Sequence, residues 1–467
     1  MEKQTDIPAN PDSDDDAEAS SASGSSEPTI PIQGTVTGTG SLEAAIGEEK
    51  NPLKRFLKVL GPGLITGASD DDPSGIGTYS TAGASFGFAT LWTALITFPL
   101  MAAVQFICAK IGMVSGKGLA AVLRDHYSPW VLYPAVIALL IGNTINAGAD
   151  IGAIAAAINL LLPIPIAFMI VPISLIILAI QIWGSYRLIA RVFKWLSLAL
   201  LAYIGAALFS KPDLGEVLKG TFIPTLRFDG KFLSILVAIL GTTISPYLFF
   251  WQASEEVEEE LSMGRKQLWQ RKGATDSELK YASLDVNIGM LFSNVVMFFI
   301  IMATGATLFK SGKTDISSAT DAAQALRPLA GDASSLLLAI GLIGAGFLAV
   351  PILTGSAAYA IAESFGWKYG LDRKARSAKQ FYAIITVSTL VGMLINFVGI
   401  NPIDALFWTA VINGFLAPPL LVIIMLVANN KEVMGQQVNS PIMNVLGWAT
   451  ALLMFAAAIG FVFTLGS

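Results

Sequence analysis

Three consecutive carboxylates and a helix breaker, Asp70-Asp71-Asp72-Pro73-Ser74-Gly75, lie inside an otherwise apolar stretch of this chain. One acid near the middle of a bilayer costs at least about 2.5–3.5 kcal/mol on insertion scales, so such residues pair with something or mark an ion pathway. No Lys or Arg stands in the middle of a neighbouring apolar segment, which makes a cation from solution the natural partner. Where Pro73 to Gly77 interrupt the helix, backbone carbonyls lose their helical partners and become available as ligands. Carboxylate and carbonyl oxygens form a hard-cation set suited to Mg²⁺, Ca²⁺ or Mn²⁺. A narrower reading keeps only Asp72 at the ion and places Asp70 and Asp71 in a water-filled vestibule.

A second break, Gly241-Thr242-Thr243-Ile244-Ser245-Pro246-Tyr247, supplies Thr242, Ser245 and Tyr247, again with oxygen only. No thioether or imidazole in this turn favours a softer transition metal. Downstream, Glu255-Glu256-Val257-Glu258-Glu259-Glu260 is expected to be a solvated cytoplasmic run from Val257 onward, with Glu255 able to face the permeation path. The chain has one cysteine, Cys108, and one histidine, His126. That excludes an intramolecular disulfide and any Cys cluster for zinc or iron–sulfur. Cys108 reads as packing and His126 as a surface residue of a charged loop, so a metal site here must be built from oxygen.

The elements that position these groups are membrane spans. Of the 467 residues, 54% are hydrophobic and 13% charged, and mean hydropathy is +0.64. Soluble domains carry roughly 25% charged residues, so most of this surface must meet lipid. Segments able to span, at about 20 apolar residues each, are 59–83, 88–112, 132–160, 165–183, 192–209, 231–254, 282–308, 333–362, 380–399, 403–427 and 442–465. Residues 1–50 are rich in Asp, Glu, Ser, Gly and Pro and hold only Lys3 and Lys50 as bases, which predicts a disordered acidic tail ahead of a transporter domain over 51–467. The tail has no basic-then-apolar pattern and is not a secretory signal. With the N-terminus inside, twenty Lys and Arg fall in inside loops and seven in outside loops, which fixes an N-in, C-out topology.

Eleven spans divide as 5+5+1: one repeat over about 55–210, a second over about 230–428, and an extra helix at 442–465. The two breaks then fall in the first and sixth spans, at matching places in the two halves. Interrupted helices in corresponding positions point to an inverted-repeat transporter with its site at the midplane.

At these breaks the sequence resembles the NRAMP family of divalent-metal transporters, which carries Asp-Pro-Gly-Asn in its first helix and Met-Pro-His in its sixth. Gly61-Pro62-Gly63 leads without a gap into Asp72-Pro73-Ser74-Gly75, and Gly241 into Ser245-Pro246-Tyr247. The run Ala109-Lys110-Ile111-Gly112-Met113-Val114-Ser115-Gly116-Lys117-Gly118-Leu119-Ala120 is similar to the family's Ala-Arg-Leu-Gly-x-Val-Thr-Gly-x-x-Leu-Ala and is the most specific match. Tyr186-Arg187, Asn294 and Thr354-Gly355 fit as well. The resemblance covers roughly 55–465. It implies an all-α membrane protein of leucine-transporter-like fold, with helices one and six unwound around the ion.

The departures matter more. The family's binding Asp aligns with Asp72, but its Asn becomes Gly75, its sulfur-donating Met becomes Ser245, a nearby Ala becomes Thr242, and the His after the proline becomes Tyr247. Its third-helix acidic pair for proton movement aligns with Ala147 and Asp150, and its tenth-helix Gln with Ala410, with Asn413 one turn on. Loss of sulfur removes the preference for softer ions. The smaller Gly75 and Ser245 predict a wider, wetter site around Asp72, suited to Mg²⁺ with retained water. The chain is thus similar to the divergent NRAMP-related magnesium transporters.

The site residues expected are Asp72, Gly75, Thr242, Ser245, Tyr247, Asp71 and Asn413. The expected substrate is Mg²⁺, with Mn²⁺ also accepted, driven by its own gradient across a cell membrane, by expectation a prokaryotic inner membrane. No cofactor, nucleic acid or obligatory protein partner is expected beyond the ion and the bilayer. Competing readings are a proton-coupled Mn²⁺/Fe²⁺ importer, an amino-acid symporter of the same fold, whose substrate carboxylate the three acids would repel, and a non-transporting metal receptor. No nucleophile–base pair in the spans suggests an enzyme.

Overall fold

Proline and its neighbours set the architecture. The computed structural model describes residues 61–184, 198–316, 318–371 and 373–465, which are helical, with no strand among them. The acidic tail and the Tyr186-Arg187 match lie outside the described residues. Helix α1 runs Pro62–Asp70 and α2 runs Pro73–Phe86. Between them Asp72 is extended, at φ −68° and ψ 169°. Pro73 has no N–H to continue α1 and disfavours a helical residue before it, yet it suits the first position of α2.

The remaining helices follow in order: α3 Trp92–Ser115, α4 Leu119–His126, α5 Pro129–Leu161 and α6 Ile166–Trp183. The fifth span is described only from Leu198, through α7 Ala202–Phe209, and a short α8 Leu214–Phe222 follows it. The sixth span breaks as the first does. Helix α9 Gly230–Thr243 ends, Ser245 stands extended before Pro246, and α10 Pro246–Ser262 begins. Then come α11 Asp276–Thr304, α12 Ser334–Phe365, α13 Lys379–Ile395, α14 Pro402–Asn429 and α15 Pro441–Leu465.

Among the described residues, eight helical stretches are long and apolar enough to cross a bilayer, and Lys379–Ile395 is a shorter apolar one. The broken first span and the partly described fifth complete the expected set of eleven. Exposed Phe168, Leu175, Val387, Leu452 and Phe463 give the outer faces the apolar character that lipid requires. The most specific sequence match straddles the end of α3, where Gly116 closes the helix in the left-handed region at φ +64° and α4 follows.

Two expectations need correction. The ninth span stops at Ile395 rather than 399, where the Asn396 side chain donates to the Gly148 carbonyl at 2.8 Å. The acidic run is no solvated loop, because α10 carries it on to Ser262 with Glu256, Val257 and Glu260 buried. Spacing of four places Glu256 and Glu260 on one inward face. Gln252 Nε2 donates to Glu256 at 2.8 Å, and Arg265 pairs with Glu260 at 3.2 Å and also with Glu278. Glu255 is half-buried.

The broken helices occupy the middle of the bundle. Helix α9 packs on α14, α1 on α11, and α5 on α12. The α1–α11 approach is backbone to backbone: a Cβ at Gly67 would lie 2.2 Å from the Gly289 carbonyl. Only glycine fits there.

Candidate metal centre

The site grows out of the first break. Asp72 caps α2, and its Oδ1 accepts from the Ser74 hydroxyl at 2.6 Å and the Gly75 N–H at 2.7 Å. The start of a helix carries unpaired N–H groups and partial positive charge, so a carboxylate is stabilised there. Oδ2 accepts from Asn146 Nδ2 of α5 at 3.1 Å. The preceding acids are held from α11, whose Ser293 hydroxyl lies 2.6 Å from Asp70 Oδ2 and 3.2 Å from Asp71 Oδ1. Asp70, Asp71 and Asp72 are all buried, at 0–1% exposure, which does not favour the narrower reading that sets the first two in a water-filled vestibule. Asp70 Oδ1 and Asp71 Oδ2 have no hydrogen-bond partner.

The second break lies against the first. Thr242 Oγ1 is 3.4 Å from the Ser74 hydroxyl, and Tyr247 OH donates to the Ser69 carbonyl at 3.0 Å. Ser356 of α12 in turn donates to the Tyr247 carbonyl at 2.7 Å. Ser245 directs its hydroxyl to the Gly241 and Thr242 carbonyls of its own helix, at 3.1 and 2.7 Å. A Cβ on Gly75 would meet Thr242 Oγ1 at 3.2 Å and the Tyr79 ring at 3.3 Å. The room expected from a small residue at 75 is therefore taken up by Thr242 and Tyr79.

Asp71, Asp72, Gly75, Thr242, Ser245 and Tyr247 thus share one buried region between the breaks. Asn413 on α14 stands apart from these contacts. It is buried with Nδ2 unpartnered, and its Oδ1 would lie 3.7 Å from a Cβ on Gly142 of α5. Asn294 donates to Thr97 Oγ1 at 3.0 Å, a structural tie between α11 and α3. Among the described residues no three His, Cys, Asp or Glu side chains converge as a chelating group, so any ion held here relies on neutral oxygens as well as carboxylate.

Sequence reasoning missed Asn146 and Ser293, which reach Asp72 and its neighbours from other helices. Asn143, Asn146 and Asp150, with Thr144, are the polar residues on one stretch of an apolar span. Their spacing was the available signal.

Two interrupted helices side by side, with acids buried at one break, define a membrane transporter of leucine-transporter-like architecture. A manganese transporter from Eremococcus coleocola matches with TM-score 0.72 and 21% identity, over 88% of this chain and 87% of that one. Mhp1, a nucleobase-cation-symport-1 family transporter, matches with TM-score 0.54 and 16% identity, over 87% and 93%. MhsT, solved with L-phenylalanine, gives TM-score 0.50 and 16% identity, over 86% and 97%. These likenesses concern the fold. The family model for Nramp, natural resistance-associated macrophage protein-like, matches residues 63–464, and the chain belongs to that family. It is a multi-pass membrane transporter, and divalent-metal transport is supported on the same ground.

Proposed function

We propose that this chain moves Mg²⁺ across its membrane, accepts Mn²⁺ as well, and is driven by the ion's own electrochemical gradient, with the N-terminus cytoplasmic and the C-terminus outside. The ion sits between the two breaks with Asp72 as its anionic ligand and Thr242, Ser245, Tyr247, Asp71 and freed carbonyls nearby. The observation that carries this reading is the donor set, because oxygen surrounds Asp72 and Ser245 stands where the family places a thioether. Hard oxygen donors suit Mg²⁺, which is commonly held through one or two carboxylates with water retained. Manganese transport by the Eremococcus coleocola protein bears on the second ion.

The test is Mg²⁺ flux into proteoliposomes carrying a pH dye, for the parent and for Asp72→Ala. Mg²⁺ entry without acidification, lost in the variant, is the expected result. Mn²⁺ entry with strong acidification and no Mg²⁺ flux would establish the second reading, a proton-coupled manganese importer. Buried Asp150, retained from the family's third-helix pair, is what favours that alternative.

A further inference from the structure

Two oxygen-bearing side chains of α5 have no part in that ligand set. Asn146 is fully buried, and its Nδ2 donates to Asp72 Oδ2. A carboxylate only accepts, so this bond fixes the orientation of the amide and leaves Asn146 Oδ1 as the free end. That oxygen has no partner. One turn along, Asp150 is also fully buried, and neither of its carboxylate oxygens has a partner. The spacing of four puts both side chains on one face of α5. Asp150 faces the first break, with the Ser74 N–H and Asp72 near its carboxylate, the Ser74 contact falling outside hydrogen-bond geometry. The neighbouring Asn143 is already spent, donating to the Leu353 carbonyl at 2.9 Å.

A buried acceptor left unpaired costs about 1–3 kcal/mol, and a buried unpaired charge costs more. Here three such oxygens lie on one helix face beside the best-defined carboxylate of the site. We propose that α5 is a third wall of the ion site, with Asn146 Oδ1 and a carboxylate oxygen of Asp150 joining Asp72 as ligands. The inference rests on the reading of this region as a divalent-metal site. Two carboxylates balance the charge of a divalent ion, and an amide oxygen adds a neutral hard donor, within the range that Mg²⁺ and Mn²⁺ accept. The set takes over on α5 what the family supplies through the Asn and Met replaced here by Gly75 and Ser245.

Calorimetric titration of the purified full chain with Mn²⁺, repeated with Mg²⁺, tests this without relying on transport. Asp150→Asn and Asn146→Ala should each weaken binding about tenfold or more, a loss in the range of disturbed metal shells. Asn146→Asp separates ligand from support: it keeps an oxygen for the ion but removes the donor to Asp72. Binding within threefold of the parent is expected for Asn146→Asp. Should Asp150→Asn aggregate, Asp150→Ser asks the same question. Parental affinity in Asn146→Ala or in the Asp150 variant would overturn the proposal, and so would Asn146→Asp binding as poorly as Asn146→Ala. If Asp72→Ala abolishes binding while the α5 variants bind normally, only this inference fails. If the parent binds neither ion, the transport reading fails with it.

Discussion

Asp285 of α11 reaches the start of α1, where its Oδ2 accepts the Gly63 N–H at 2.7 Å. Its Oδ1 also takes the N–H groups of Gly61 and Leu64, at 3.0 and 3.1 Å. One carboxylate thereby satisfies three donors that a helix start leaves without internal partners. Asp285→Ala should destabilise the protein by about 3 kcal/mol or more, since hydrogen bonds to a charged group contribute about 1.5–3 kcal/mol each and do not add fully. Asp285→Asn keeps an acceptor and should lie between. Thermal unfolding in detergent reads both, and an unchanged melting temperature in Asp285→Ala would show that α1 is held by something else.

The bond from Tyr247 to the Ser69 carbonyl is the shorter of two direct links between the breaks, the other being the contact of Thr242 with Ser74. Tyr247→Phe keeps the ring and loses that donor. We expect a stability loss of about 1–2 kcal/mol, with Mg²⁺ and Mn²⁺ affinity reduced less than in Asp72→Ala. Equal losses of affinity in the two variants would place the tyrosine oxygen on the ion itself.

Ser293 donates within reach of both Asp70 and Asp71. Ser293→Ala takes the one hydrogen-bond donor that these two carboxylates share among the described residues. Unfolding free energy should fall by about 1–3 kcal/mol relative to the parent protein. A Ser293→Ala protein as stable as the parent would mean that the two acids are satisfied without it.

Gly67→Ala tests the seam between α1 and α11. The added Cβ would fall 2.2 Å from backbone atoms of Gly289, which cannot rotate away as a side chain can. Overpacking of this kind costs typically about 1–3 kcal/mol and more where backbone must move. Reduced yield of monodisperse protein is the expected outcome. Normal yield and melting behaviour would show that the helices can separate freely.

Both breaks were legible in the chain because their cause is local: a proline acts on the residue before it, and Asp72 and Ser245 are in those places. The spans were legible for the same reason, since hydropathy reports the solvent a segment must meet. What stayed hidden depends on partners far along the sequence. Nothing near Gly75 announces that Thr242 fills the space beside it. Nothing near Asp72 announces Asn146, and nothing in the acidic run announces that Arg265 permits Glu260 to be buried. Charge alone read as solvation, whereas the helical spacing of Glu256 and Glu260 already allowed an inward face.

The seam of Gly63, Gly67 and Gly289 has a further consequence for what would hold α1 against α11. Parting α1 from α11 along that line would uncover peptide groups together with apolar neighbours such as Val286, fully buried beside Gly63. Polar resistance would come from the grip of Asp285 on three amide protons at one end of α1 and from Ser293 on Asp70 and Asp71 at the other.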